Sequence, residues 1–508
     1  MKAFSIFLLL LCCSCSNKET KVNQTIKLPS SIDPISFDPR IAGDSNSQAT
    51  LRLVYEGLTR IEPDGKPHLA VASNVEISED KKVYTFKLKD TFWSDGSPLT
   101  AYDFERSWKQ AVSLDFPTKY SYAFFCIEGV KAYRNKKISI EKIGIKALDQ
   151  TTLEIRLSNP IHYFLELLAN PVFSPVHPNY NTFVSNGPYR LVRWVFKNKL
   201  ILKKNPYYWN DSNVCLNTIE INVVKNAHTA NLLYENDELD WTGEPLQKLP
   251  IDTIQHWKDQ KELCIRPPNP VKMVVCNTEN NLMSNEKIRR ALAISIDRKD
   301  ITEHFLEGNE IPAHSVLPPH LTLQEKALFN DKEIEEAKRL LHEGLSELNI
   351  DINTIGPIMF IHSNTNQKLP QILQEQWKEN LEINVKLLCM DWPSCLKKYK
   401  SKDFQIMLFG WESWINDPIY NLRLNELLDQ KIDTEIEDLL SASDKETDSI
   451  KRLNLLRESE KRLVDKMYVI PIYFGTRFYL QKPYVKGVYY TPLDYPDFTY
   501  VSVDHSKS

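Results

Sequence analysis

A chain of 508 residues exceeds what a single hydrophobic core organises, so this sequence has to fold as two or three cooperating domains. Local patterns suggest what fills them. Val83–Lys89 alternates β-branched and aromatic residues with polar ones, as a strand does. Asp95-Gly96 predicts a tight turn, because glycine accepts positive φ at no steric cost. Thr100 then predicts a helix N-cap, with Asp103 in the capping-box position. Further strands are expected at 152–157, 199–203 and 218–224. Beyond residue 286 the helical patterns lengthen: 287–306, then 331–345 with Asn330 as cap, then 444–466. Strand-like runs at 384–388, 404–409 and 469–474 lie among them. Mixed strands and helices throughout predict an α/β or α+β architecture.

The amino-terminal end is of another kind. Lys2 precedes the short apolar run Ala3–Leu11, which fits a secretory signal and is too short to span a bilayer. It ends in Cys12-Cys13-Ser14-Cys15, and a small residue followed by Cys at such a place resembles a bacterial lipobox with Cys15 as the lipidated residue. No later segment approaches the ~20 apolar residues of a membrane-spanning helix. A lipid-anchored, extracytoplasmic and otherwise soluble protein is expected, its anchor in a cell membrane. The six cysteines beyond the signal are widely scattered and form no C-x-x-C pair. Only Cys389 and Cys395 lie near enough to meet across a loop.

Charge excludes more than it assigns. Lys and Arg number 63 against 67 Asp and Glu, so no nucleic-acid surface is implied. The chain has no H-E-x-x-H, no G-x-S-x-G and no phosphate-binding loop, and its 11 histidines are dispersed. Neither an enzyme nor a cofactor is expected.

Six blocks in order carry a resemblance. Leu53–Arg60 with Pro63-Asp64-Gly65 is the first, and Tyr84–Leu88 continuing through Trp93–Asp103 the second. Asn186–Leu191 with Asn205-Pro206-Tyr207-Tyr208-Trp209 follows, then Lys287–Leu292 through Asp297-Arg298. Gly410-Trp411 with Asn416-Asp417-Pro418, and Ile470–Tyr473 with Lys482-Pro483, complete the set. Together they resemble the peptide- and nickel-binding class of transporter-linked solute-binding proteins, with spacing similar to the oligopeptide binders. The resemblance implies a periplasmic-binding-protein type II-like fold (cluster C): two lobes, a hinge, an interlobe cleft and an additional third domain. The expected divisions are a discontinuous domain I from 16–54, 185–280 and 484–508, a domain II at 55–184 and a second lobe, domain III, at 281–483. Most motif residues are read as structural. Trp93, Trp194 and Trp209 are expected to anchor packing, and Arg289 and Asp297 to hold the fold together.

The segment Gly410–Pro418 is expected to line the cleft, where the relatives' backbone pairs with an extended peptide like an added strand. The aspartate that holds the peptide's ammonium in relatives falls on Trp414 here. A cleft arginine falls on Leu408, a glutamate on Gly43 and a histidine on Asn366. One charge-assisted hydrogen bond contributes roughly 1.5–3 kcal/mol, or about tenfold to a hundredfold in affinity, so several losses need compensation. Glu412, on the same face as Trp414 in an extended segment, and Arg477 are the candidates for it. Gly410, Trp411, Ser413, Asn416 and Asp417 join them from the same segment, and Trp392, Tyr122, Tyr473, Phe474 and Ser45 complete the expected ligand-binding set. Two readings stay open: a short or unusually linked peptide such as glutathione, or a non-peptide solute such as a metal chelate, haem or sugar. A structural surface lipoprotein with a degenerate cleft is the remaining alternative. The partners implied are the ligand, ABC transporter permease subunits and the bilayer, with the protein itself a monomer.

Overall fold

The computed structural model describes residues 24–504 apart from 119, 180–182, 307–308, 353–354, 365–366, 414 and 425–431. Cys15, Trp414 and Asn366 therefore lie outside the described residues.

The first domain is built on a four-stranded sheet. Its edge strand Thr25–Ser30 runs parallel to Thr218–Val223, which pairs antiparallel with Lys199–Lys204 and so with Tyr189–Val195. The Leu53–Arg60 block sits against it for an electrostatic reason. Glu56 accepts hydrogen bonds from Tyr208 at 2.8 Å, from Arg60 at 3.0 Å and from the Trp209 indole. Arg60 also reaches Tyr489 at 2.8 Å and Asp497 at 3.3 Å. Three sequence-distant blocks are thus tied to one buried ion pair. The second domain folds around another four-stranded sheet, Ala72–Ile77, Val83–Leu88, Thr152–Arg156 and Ile145–Ala147, in that order. Helix Ala101–Val112 covers it, opened by the expected Thr100–Asp103 capping box.

The second lobe carries a six-stranded sheet. The order is Ile311–Pro312, Val469–Phe474, Val271–Cys276, Ile406–Trp411, Ile358–Ser363 and Val385–Met390. Helices Glu286–Ile294, Ile334–Glu347 and Lys368–Leu381 pack on one face. Thr434–Lys445 and Ser449–Lys466 lie over the other, in an apolar cluster that continues into the second domain. Val271–Cys276 lies between two strands and beneath both layers, which is why it reads as a near-continuous apolar run.

Several elements differ from expectation. The helix expected over 287–306 stops at Ile294, and Asp297 caps a new turn by accepting from the Asp300 amide. Arg298 fixes that break by donating to the Asp331 carboxylate at 2.6 Å and to the Pro471 carbonyl at 2.8 Å. With Asp331 so engaged, the following helix begins at Ile334, and Asn330 reaches the Glu333 side chain rather than capping it. The helix expected over 444–466 is two helices, the second capped by Asp448. Arg289 and Asp297 both hold the fold, as expected, though through different partners. Arg289 binds backbone carbonyls, whereas Asp297 pairs with Lys332 at 2.9 Å. Trp93 is buried as expected, but Trp194 is 40% exposed and bonds to Asp33. None of the six described cysteines forms a disulfide, so Cys389 and Cys395 do not pair.

The chain crosses between lobes at 267–270 and 475–476. The two crossings are joined by a hydrogen bond from the Gly475 amide to the Pro270 carbonyl, 2.8 Å. Strand Val271–Cys276 pairs only within the second lobe, and Arg477–Gln481 pairs with Cys264–Arg266 and Trp241–Gly243 of the first domain. Sheet partners thus change some ten residues before the expected division at 280/281, and before 483/484 as well. A strand's membership is decided by its neighbour, which its own residues do not name.

Candidate functional site

At the hinge end of the six-stranded sheet lies a cleft of about 370 Å³. The second lobe contributes Pro270, Lys272, Phe409, Gly410, Trp411 and Glu412; Gly43, Ser45, Tyr120, Tyr122 and Tyr495 face them. Ile406–Trp411 is fixed on one side by Val271–Cys276 along its whole length. On its other side Ile358–Ser363 pairs only with Ile406 and Met407. The edge from Leu408 to Trp411 therefore has no strand beside it among the described residues.

Glu412 is the electrostatic centre of this wall. Arg477 donates to it at 2.6 Å and the Ser45 hydroxyl at 3.2 Å. Arg477 also donates to the Asp494 carbonyl at 3.1 Å, and Arg266 donates to the Asp494 carboxylate at 2.9 Å. Burial works against the Arg477 charge, but Glu412 and Asp494 outweigh it and hold the guanidinium firmly protonated. Asp494 is pushed up to about 6, chiefly by burial and against the pull of Arg477. The two residues singled out as compensating charges thus pair with each other.

Trp411 stacks on Tyr420 with ring centroids 5.7 Å apart. Tyr420 in turn lies beside Tyr122. Beyond that tyrosine pair a second cavity of about 510 Å³ opens between the second domain and the second lobe, lined by Phe125, Cys126, Ile161, Tyr163 and Arg423 among others.

Gly410, Trp411, Glu412, Ser45 and Tyr122 therefore meet at one cleft, with Arg477 directly behind Glu412. Other expected residues do not. Ser413 is buried and closes its own turn through the Ile415 carbonyl. Asp417 caps helix Pro418–Leu422 and pairs with Arg452 at 2.8 Å. Asn416 is exposed, and its amide donates to Glu166 of the second domain, a contact that ties the lobes together. Trp392 opens a helix and packs on Phe409 from outside the cleft. Tyr473 is buried in the core, and Phe474 lines a different depression near Glu460. Ser413 and Asp417 lie beyond the end of the strand at Trp411, one in a turn and the other at a helix start, and Trp392 also begins a helix, so strand alternation does not govern where they point.

The altered positions find physical substitutes. Gly43 lies under the Tyr120 ring, whose Cζ would sit 1.9 Å from a Cβ added there. The ring occupies the space a longer side chain at 43 would need. Leu408 faces the core and is 6% exposed. Sequence reasoning missed Tyr120, Tyr495, Phe409, Pro270 and Lys272. Only Lys272 carries a readable signal, a lone cation in the apolar run Val271–Cys276.

Comparison with known proteins agrees with this geometry. Residues 66–427 match the bacterial extracellular solute-binding proteins, family 5 Middle. The chain is 35% identical over 496 residues to the oligopeptide-binding protein OppA of Bacillus subtilis, covering 93% of this chain and 91% of that protein. It is 28% identical over 491 residues to the dipeptide-binding protein DppE of the same organism, covering 92% and 89%. Among solved structures, Listeria monocytogenes OppA bound to peptide superposes with a TM-score of 0.79 at 27% identity, covering 95% of this chain and 99% of that one. With its interlobe cleft and these matches along nearly its whole length, the chain belongs to the family 5 bacterial extracellular solute-binding proteins.

Proposed function

We propose that this extracytoplasmic binding protein captures short peptides between its lobes and passes them to the permease of an ABC importer, held near the membrane by a lipid on Cys15. The unpartnered edge from Leu408 to Trp411 carries the reading. A peptide laid along it completes backbone hydrogen bonds without any reading of side chains, which yields affinity across many sequences. Trp411 and Tyr122 supply flat walls, and the volume beyond Tyr122 accepts a side chain. The relatives named above as peptide binders support the same ligand class. Glu412, masked by Arg477, is a weaker clamp for an ammonium group than a free aspartate. That favours short or unusually linked peptides, γ-glutamyl ones such as glutathione included.

Calorimetric titration with di- to pentapeptides, glutathione, a bile acid, haem and a sugar tests the proposal. Micromolar binding of at least one peptide is expected. Binding of a non-peptide solute with a flat response to every peptide would overturn it.

A further inference from the structure

We propose that Lys272 is an anion anchor in the cleft, pairing with a carboxylate of the bound solute and restricting the ligand to short peptides that carry a free acid. The inference rests on the peptide reading above and adds a specificity-determining residue to it.

The first observation is a contrast between four buried cations and the half-buried Lys272 on the cleft wall. Arg40 is engaged by Asp38 and Gln110, Arg289 by four backbone carbonyls, Arg298 by Asp331 and two carbonyls, and Arg477 by Glu412 and Asp494. Lys272 is the exception: its ammonium makes no ion pair and no hydrogen bond among the described residues. A cation half withdrawn from water on a cleft wall, with no counter-charge beside it, is a group that an incoming anion can answer.

Geometry then says where the charge points. Lys272 stands directly across from Gly410 in the antiparallel pair. A Cβ at Gly410 would lie 2.7 Å from Lys272 Nζ, so the ammonium occupies the space the missing side chain leaves open. Both residues line the cleft. Glycine at this position is thus what admits the lysine to the ligand's side of the wall.

The surroundings favour an incoming anion. Burial lowers the lysine's pKa, and Lys248 adds to that effect, while Glu244 and Glu310 only partly offset it from a distance. Glu310 is a poor counter-ion, because burial pushes its carboxyl up to about 7 and the Thr476 amide already occupies one oxygen at 2.6 Å. A ligand carboxylate is the group that satisfies the site.

Spacing limits the ligand's length. Gly410 and Glu412 are two residues apart, about 7 Å along an extended segment. The cleft therefore offers a cation at one position and a carboxylate at the next on the same side. That suits a short zwitterion with its acid toward Lys272 and its ammonium toward Glu412.

The test titrates the full mature chain with a mixed tripeptide pool bearing free carboxyl termini and with the same pool amidated. The native protein should bind the free acids roughly 10- to 100-fold more tightly. Lys272→Gln should lose that margin on the free acids and show no further loss on the amides, while Lys272→Arg should recover part of it. Equal binding of acids and amides by the native protein would overturn the anchor yet leave the peptide reading standing, and this comparison needs no variant to fold. Failure of the native protein to bind either pool would remove both. Thermal unfolding of the two variants shows whether any loss is local.

Discussion

Two clusters of buried charge in this molecule use the same residue types to opposite ends. In the first, Glu56, Arg60 and Asp497 are enclosed by Tyr208, Trp209 and Tyr489, and every charge has an opposite charge beside it. It bolts an amino-terminal motif to a central block and to the carboxy-terminal tail. In the second, Glu412, Arg477 and Asp494 also neutralise one another, yet Glu412 lines a cleft of about 370 Å³, where the first cluster borders a pocket of only about 30 Å³, and Lys272 on that cleft is left over. A closed charge cluster is a fastener. One with a remainder facing a cavity is a receptor, because the missing partner can arrive from solution.

The comparison breaks most readily at the first cluster. Glu56→Ala leaves a buried guanidinium short of its partner, and such losses cost about 3–5 kcal/mol. A drop in unfolding temperature of many degrees is expected with or without peptide, and a variant as stable as the native chain would show that the cluster fastens nothing.

Glu412→Gln should act in the other currency, affinity. The amide keeps an acceptor for Ser45 but loses the charge that faces Arg477. Peptide binding should weaken by roughly tenfold or more, with a smaller loss of stability than Glu56→Ala because Asp494 still answers Arg477. A variant that unfolds early yet binds normally would make the second cluster a fastener too.

The lobe contact sharpens the contrast through pH. Burial pushes the Glu166 carboxyl up from 4.5 to about 7, against the hydrogen bond from the Asn416 amide. A raised carboxyl pKa means that the packed state holds an extra proton. Its contribution is greatest below pH 4.5, is lost as pH rises toward 7 and is flat above. Glu166→Gln keeps the acceptor without the charge, so it should stabilise the fold by about 1–2 kcal/mol at pH 8 and hardly at all at pH 4.5. Unfolding curves at both pH values check this, and an equal gain at each would refute the titration.

The smallest effect is expected from Gly410→Ala. The added methyl meets only the flexible tip of Lys272, so the ammonium swings away. A few-fold loss of affinity for free-acid peptides, with an unchanged melting temperature, is the expected result of titration beside thermal denaturation.

How far the sequence reached can be followed residue by residue. Thr100 with Asp103, and the strands at 83–88, 218–223 and 469–474, were legible because each is fixed by neighbours within a few positions. The break at Ile294 was not, because it depends on Arg298 finding Asp331 and Pro471 far along the chain. In the cleft, Gly410, Trp411 and Glu412 lie on the wall that the motif containing them led one to expect. Asp417 and Ser413 belong to the same motif, but one caps a helix and the other closes a turn.

By itself, then, the sequence determined the family, the alternation of strands and helices and the segment that lines the cleft, all of which rest on short-range pattern. Only the tertiary structure decided that Arg477 answers Glu412 and that Tyr120 covers Gly43. It alone brought Lys272 into the space Gly410 leaves empty. Those facts are pairings between residues far apart in the chain, and whether a charge is answered depends on which side chains the fold places within about 4 Å of it.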